Sequence, residues 1–184
     1  MKKYFVMLSL MAMVFAAQAQ TKFHDVECND AKGPVKSITV KQKNIMGEVR
    51  VVMKFTQEGK LSDSEGTVIS DAMYDKNGYL LSCVTATNGD KVNVSYEWEE
   101  GKVKTQTSSI GNIVMKVINN YDENGLISSA STEMAGNKSE MKMSDYKFDD
   151  HGNWISRKAT QTVKILGQEN TFISIFERSL EYYQ

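Results

Sequence analysis

Catalytic and metal-binding side chains are scarce in this sequence. It has two histidines, His24 and His151, and two cysteines, Cys28 and Cys83, among 184 residues, which leaves almost no material for a histidine-based triad or a zinc site. Proline is rarer still, with Pro34 standing alone. An excess of positive charge is also missing: 22 Lys and Arg face 23 Asp and Glu, so there is no basic field to hold nucleic acid. Past residue 20 no stretch repeats apolar residues at helical spacing, which argues against any helical layer. The one long apolar run, from Tyr4 to about Ala16, falls short of the roughly 20 residues that a spanning helix needs.

That run reads as an export signal. Lys2 and Lys3 precede it and Ala17-Gln18-Ala19 follows, so residues 1–19 are expected to be removed before Gln20, leaving 20–184 as a single domain with no membrane span. The nearest cysteine, Cys28, lies well inside the remaining chain, so a lipoprotein-type anchor is not expected. The signal takes two of the 22 basic residues and none of the acidic ones, which leaves the rest near −3. An exported location, periplasmic or extracellular, also allows Cys28 and Cys83 to form a disulfide, worth about 4 kcal/mol by chain entropy. The competing reading keeps Cys83 as a small apolar residue in a strand.

What the sequence does have is a phrase that recurs: an aromatic residue, a polar turn ending in glycine, then an apolar residue. It stands as Tyr74-Asp75-Lys76-Asn77-Gly78-Tyr79-Leu80, as Tyr121-Asp122-Glu123-Asn124-Gly125-Leu126-Ile127 and as Phe148-Asp149-Asp150-His151-Gly152-Asn153-Trp154, with looser copies from Phe55 to Leu61 and from Trp98 to Val103. A second set of turns, around Gly47, Gly66, Gly89, Gly111, Gly136 and Gly167, lies between them. Together the two sets join about twelve strands into an antiparallel meander of repeated hairpins, an all-β fold with an open or strongly curved sheet. Asp at the first turn position and Gly at the last suit a type I turn with a positive-φ bulge residue. This places Phe55 opposite Leu61, Tyr74 opposite Leu80, Trp98 opposite Val103, Tyr121 opposite Ile127 and Phe148 opposite Trp154, a continuous apolar band near one end of the strands. Val35–Lys41 reads as the first strand, with Pro34 at its mouth. Residues 20–32 lack periodicity and read as a loose segment or a lead-in strand.

The Tyr-Asp-x-x-Gly-x-Leu phrase, followed by aromatic-Asp-x-x-Gly-Asn, resembles the YD repeats of RHS-type proteins. The match is clearest at Tyr121–Ile127 and Tyr146–Trp154, and the repeats span about Val35 to Tyr183. The resemblance implies an array of antiparallel hairpins. The chain departs from large RHS shells: it has five copies, lacks their arginine after the turn glycine and carries no toxin segment. It is more similar to small exported YD-like proteins of Gram-negative, gut-type bacteria.

For function, Tyr74, Trp98, Tyr121 and Trp154 are candidate ligand-binding residues, offering flat amphipathic faces to a glycan or an envelope protein. Trp154 is the strongest candidate for exposure, being larger than the Leu, Ile or Val of the other copies. The competing reading makes these aromatics the packing band itself. A hydrolase of envelope polymers would draw on Asp149 and Asp150 beside Trp154, and an immunity-type or structural partner protein is a third option. Neither a metal site nor a cofactor is expected, because His151 sits in a turn and the Asp-x-Asn-Gly turns lack the further ligands of a calcium loop. If the meander stays open, Val35–Lys41 and Thr171–Tyr183 are its free edges, and the second, with fewer lysines to guard it, is a candidate homodimer edge.

Overall fold

The computed structural model describes residues 22–44, 47–87, 89–165 and 168–184; the expected export signal falls outside them. Twelve strands follow one another in the order of the chain. They are β1 (Val35–Asn44), β2 (Gly47–Phe55), β3 (Leu61–Ser64), β4 (Val68–Tyr74), β5 (Leu80–Thr87), β6 (Asp90–Glu99), β7 (Lys102–Ile110), β8 (Ile113–Tyr121), β9 (Ile127–Met134), β10 (Asn137–Phe148), β11 (Trp154–Ile165) and β12 (Gln168–Tyr182). Among the described residues a four-residue helix, α1 (Asp25–Cys28), precedes them.

The five phrases form the turns that their chemistry demands. At Asp75 the backbone N–H of Gly78 donates to the Asp75 carbonyl at 3.1 Å, and Asp75 N–H donates to the Tyr79 carbonyl at 2.9 Å. The Asp75 carboxylate then accepts from the N–H groups of Asn77 and Tyr79, at 2.8 and 2.9 Å. Asp122 does the same for Asn124 and Leu126, and Asp149 for His151 and Asn153. In the looser copy Thr56 stands in for Asp, its hydroxyl accepting from Lys60 N–H at 3.3 Å. All five aromatic–apolar pairs form in the expected register, each beside an irregularity in the ladder.

Every consecutive pair of strands is hydrogen-bonded except β3 and β4, and β1 pairs with β12 from Val35↔Tyr182 to Lys43↔Ile175. The sheet therefore curls into a nearly closed barrel with a single seam between β3 and β4. The two strands that the sequence reading left as free edges are each other's partners. Their backbone groups are spent on closure, so the homodimer edge proposed there is not available. The curl follows from the accumulated twist of twelve strands, which brings the ends of a long meander together.

Alternation sorts the residues into two walls. The inward set is marked by Val35, Ile38, Phe55, Leu80, Cys83, Val94 and Ala159, all buried. The outward positions carry Lys41, Arg50, Lys116, Glu133, Lys142, Lys158 and Glu177, with ion pairs such as Lys43–Glu177 and Arg50–Glu65 at 2.8 Å. A lipid-facing Lys or Arg costs about 2–4 kcal/mol at the bilayer midplane, so this wall is built to face water.

The stretch at 20–32, read from the sequence as a loose segment or a lead-in strand, is described from residue 22 and, with residues 33 and 34, crosses one mouth of the barrel as a plug. Phe23 N–H donates to the Glu58 carbonyl at 2.8 Å and His24 N–H to the Gly78 carbonyl at 3.1 Å, while Tyr183 N–H donates to Pro34. Val26 and Ala31 join Val35, Ile38 and Phe55 in one buried cluster.

Gly78 and Gly136 separate two roles of turn glycine. Both have positive φ, but a Cβ on Gly78 would collide with the Lys22 carbonyl oxygen, whereas one on Gly136 meets nothing within 4 Å. Gly136→Ala is expected to cost about 1 kcal/mol in urea denaturation. Gly78→Ala is expected to cost more and to open residues 22–34 to protease.

Candidate functional site

The plugged mouth gathers most of the side chains that the sequence singled out. Trp154, at the start of β11, is only 4% exposed, so it is not the exposed platform expected of it. Its indole N–H donates to Asp30 Oδ2 at 2.8 Å, and its ring lies between two guanidinium groups, Arg157 at 4.1 Å and Arg178 at 3.7 Å from the centroid. Arg157 also pairs with Asp30 at 2.9 Å. Arg178 donates to the carbonyls of Trp154, Asn29 and Asp30, and its burial lowers the guanidinium pKa to about 10. The oversized Trp154 is the socket that receives the plug.

The other three candidates are also occupied. Trp98 donates from its indole to the Leu80 carbonyl at 2.7 Å. Tyr121 donates to the Val103 carbonyl at 2.8 Å and carries the Lys102 ammonium 5.1 Å over its ring. Tyr74 donates to Asp25 Oδ2 at 2.8 Å. These aromatics serve as struts between neighbouring strands or between wall and plug.

Asp149 and Asp150 were the carboxylates of the hydrolase alternative. Asp149 is committed to its turn: burial works against its ionisation, but the Tyr182 hydroxyl and the N–H groups of Asn153 and His151 win and hold its pKa below the ordinary carboxylate value. Asn153 beside it spans wall and plug, accepting from Lys32 N–H at 2.8 Å and donating to the Lys32 carbonyl at 2.9 Å. Among the described residues no cluster of three or more His, Cys, Asp or Glu is placed to hold a metal ion.

Asp25 is a residue the sequence reading passed over. It opens α1, is 2% exposed, and its Oδ2 accepts from the Leu61 N–H of β3 and the Tyr74 hydroxyl of β4, both at 2.8 Å. One carboxylate oxygen thus bridges the two strands that do not pair. Oδ1 is buried with no hydrogen-bond partner. A single acidic residue in an aperiodic stretch gives no warning of long-range contacts.

Above the plug lies a cavity of about 1190 Å³ that reaches solvent along the β3–β4 seam. Asp25, Cys28 and Asn29 form its floor, and Ile69, Cys83, Thr85, Tyr96 and Gln106 line its wall. Cys28 and Cys83 are free thiols, and both interact with the Tyr96 hydroxyl. Burial raises both thiols above the ordinary cysteine value, which makes them poor nucleophiles. The signal for this cavity was present in the period-two pattern of Val92, Val94, Tyr96 and Trp98, but alternation alone does not say that the face they share is hollow.

No protein-family model matches the chain, and no curated protein matches it. Among solved structures, a porin-like protein from Bacteroides uniformis ATCC 8492 is similar over 80% of this chain and 97% of its own, with a TM-score of 0.48 and 9% sequence identity.

Two measurements probe the plug. Trp154→Ala is expected to lose about 3–5 kcal/mol in urea denaturation, as for a large buried aromatic, and to speed proteolysis of residues 22–34. Asp25 has its pKa raised above 3.8, chiefly by burial and against the hydrogen bonds from Leu61 and Tyr74 and the charge of Lys60. The folded chain therefore holds this proton more tightly than the unfolded one. Its stabilising contribution is complete below the unfolded pKa and is lost as pH rises through the folded one. The stability of the parent relative to Asp25→Asn is expected to fall with rising pH across that window, by at most about 1.4 kcal/mol per pH unit; a pH-independent difference would refute it.

Proposed function

We propose that this protein is a non-catalytic, exported binding protein of the cell envelope that takes its ligand into the barrel lumen. The single observation behind the reading is the cavity of about 1190 Å³ between plug and seam, which exceeds the several hundred Å³ usual for small-molecule sites. The outer wall supports a water-exposed location, and the N-terminal signal-like run supports export to the periplasm or the cell exterior. On the same footing, the five turn phrases are YD-type repeats curled into one small ring instead of a cargo shell. The binding role moves from the aromatic band, whose members hold the plug and the strands, to the hollow face behind it.

The reading is tested by isothermal titration of the protein against the small-molecule fraction of an envelope extract. Saturable binding at one ligand per chain, with the ligand recovered chemically unchanged, is expected. Thr85→Trp, which fills the lumen, is expected to abolish it, and Ser95→Trp on the outer wall to leave it intact. Turnover that disappears in Asp149→Ala would favour the hydrolase instead.

A further inference from the structure

We infer that Cys28 and Cys83 are the two halves of a redox latch: exchange with a disulfide-bearing donor joins their sulfurs and ties the plug to the barrel wall at the seam. They are the two cysteines of the chain, so within one molecule each has a single possible partner. Cys28 closes α1 on the plug and Cys83 stands on β5 of the wall, and both line the cavity along the β3–β4 seam. The bond thus crosses from plug to wall. It does not depend on what the lumen binds.

Two separate sets of contacts place the thiols. On the wall, Cys83 is buried with Leu80 and Val94, and Tyr96 packs against that cluster. Val94 is the partner of Cys83 across the β5–β6 ladder, and Tyr96, two residues further on, stands on the same face. On the plug, the Cys28 N–H donates to the His24 carbonyl at 2.9 Å, and Asp25 anchors the start of the same helical turn to Leu61 and Tyr74. Both thiols meet at the Tyr96 hydroxyl, which interacts with each of them. Packing alone needs only two small apolar residues here. Two thiols on separately anchored elements, sharing one hydroxyl, form a pair that closes by turning side chains, within the geometry a disulfide demands.

The exchange balances in two steps. One cysteine thiolate attacks the S–S bond of the donor, forming a mixed disulfide and expelling one donor thiolate. The other cysteine thiolate attacks the protein sulfur of that mixed disulfide, which forms the Cys28–Cys83 bond and expels the second donor thiolate. The chain loses two electrons and two protons, and the donor, gaining both, leaves as two thiols. Burial, then the charge of Asp25 and, for Cys28, of Glu27, favours the protonated thiols against the Tyr96 hydrogen bond, so the exchange is slow at neutral pH and quickens as pH rises. Once formed, the bond adds a covalent tie beside a gap otherwise bridged by the Asp25 carboxylate and the backbone bonds of Phe23 and His24.

The test incubates the purified chain with oxidised glutathione, once folded and once during refolding from urea, and reads the intact mass and a peptide map without reductant. Loss of two hydrogens, with the Cys28 and Cys83 peptides joined, is expected in both arms, and the rate in the folded arm is expected to rise about tenfold per pH unit. Thermolysin is expected to cut residues 22–34 of the oxidised chain about tenfold more slowly than those of the reduced chain. Cys28→Ser and Cys83→Ser are expected to show no such protection. The peptide map uses the parent alone, so it decides the pairing even where a serine variant fails to fold. Two free thiols, or two bound glutathiones, after refolding would overturn the latch, because the unfolded chain offers both sulfurs to the donor. Joined peptides with unchanged cutting at 22–34 would overturn its hold on the plug.

Discussion

A barrel with eleven ladders and one missing depends on whatever holds its seam, and here that is the Asp25 carboxylate. β3 and β4 exchange no ladder bonds, yet the Leu61 N–H of one and the Tyr74 hydroxyl of the other converge on Asp25 Oδ2. Phe23 and His24 add a backbone bond to the turn on either side of the gap. The N-terminal segment is thus the barrel's clasp as well as its plug. Burying a carboxylate is unfavourable, as its raised pKa records, and the two donated hydrogen bonds offset that cost only in part.

The opposite side of the plug is fastened by a different chemistry. Trp154 lies between Arg157 and Arg178, and Asp30 ties the indole and one guanidinium to the plug. A cation over an aromatic face gains more when both are shielded from water, and Trp154 is well shielded. The stack of His24 on Tyr79 at 4.0 Å and of His151 on Tyr182 at 3.8 Å continues the same aromatic ring around the mouth. One end of the barrel is therefore filled, charged and ordered by specific bonds. Beside this floor a cavity of about 1190 Å³ runs along the β3–β4 seam.

The turns were legible because their chemistry is local. Asp75, Asp122 and Asp149 each bond two backbone N–H groups within four residues, and a glycine closes each reversal, so strand number, strand direction and the five aromatic–apolar pairs follow from short windows of sequence. Trp154 was legible as unusual but was assigned the wrong environment. Its size in the fifth copy was taken as a sign of exposure, when it answers a demand from Asp30, Arg157 and Arg178, which lie 124, 3 and 24 residues away. Asp25 and the inward role of Gln106 gave no local signal at all.

The sequence by itself determined a twelve-strand antiparallel meander and its register at every phrase turn, because each of these is decided by neighbours along the chain. Only the tertiary structure decided that the meander curls until β1 meets β12, that the aperiodic segment at 22–34 becomes the plug, and that one of two alternating faces encloses a cavity. The physical reason is the same in each case. Twist accumulates over all twelve strands before the ends meet, and the plug bonds at once to the separate turns that hold Glu58, Gly78 and Asn153. Neither quantity is written in any single stretch of residues.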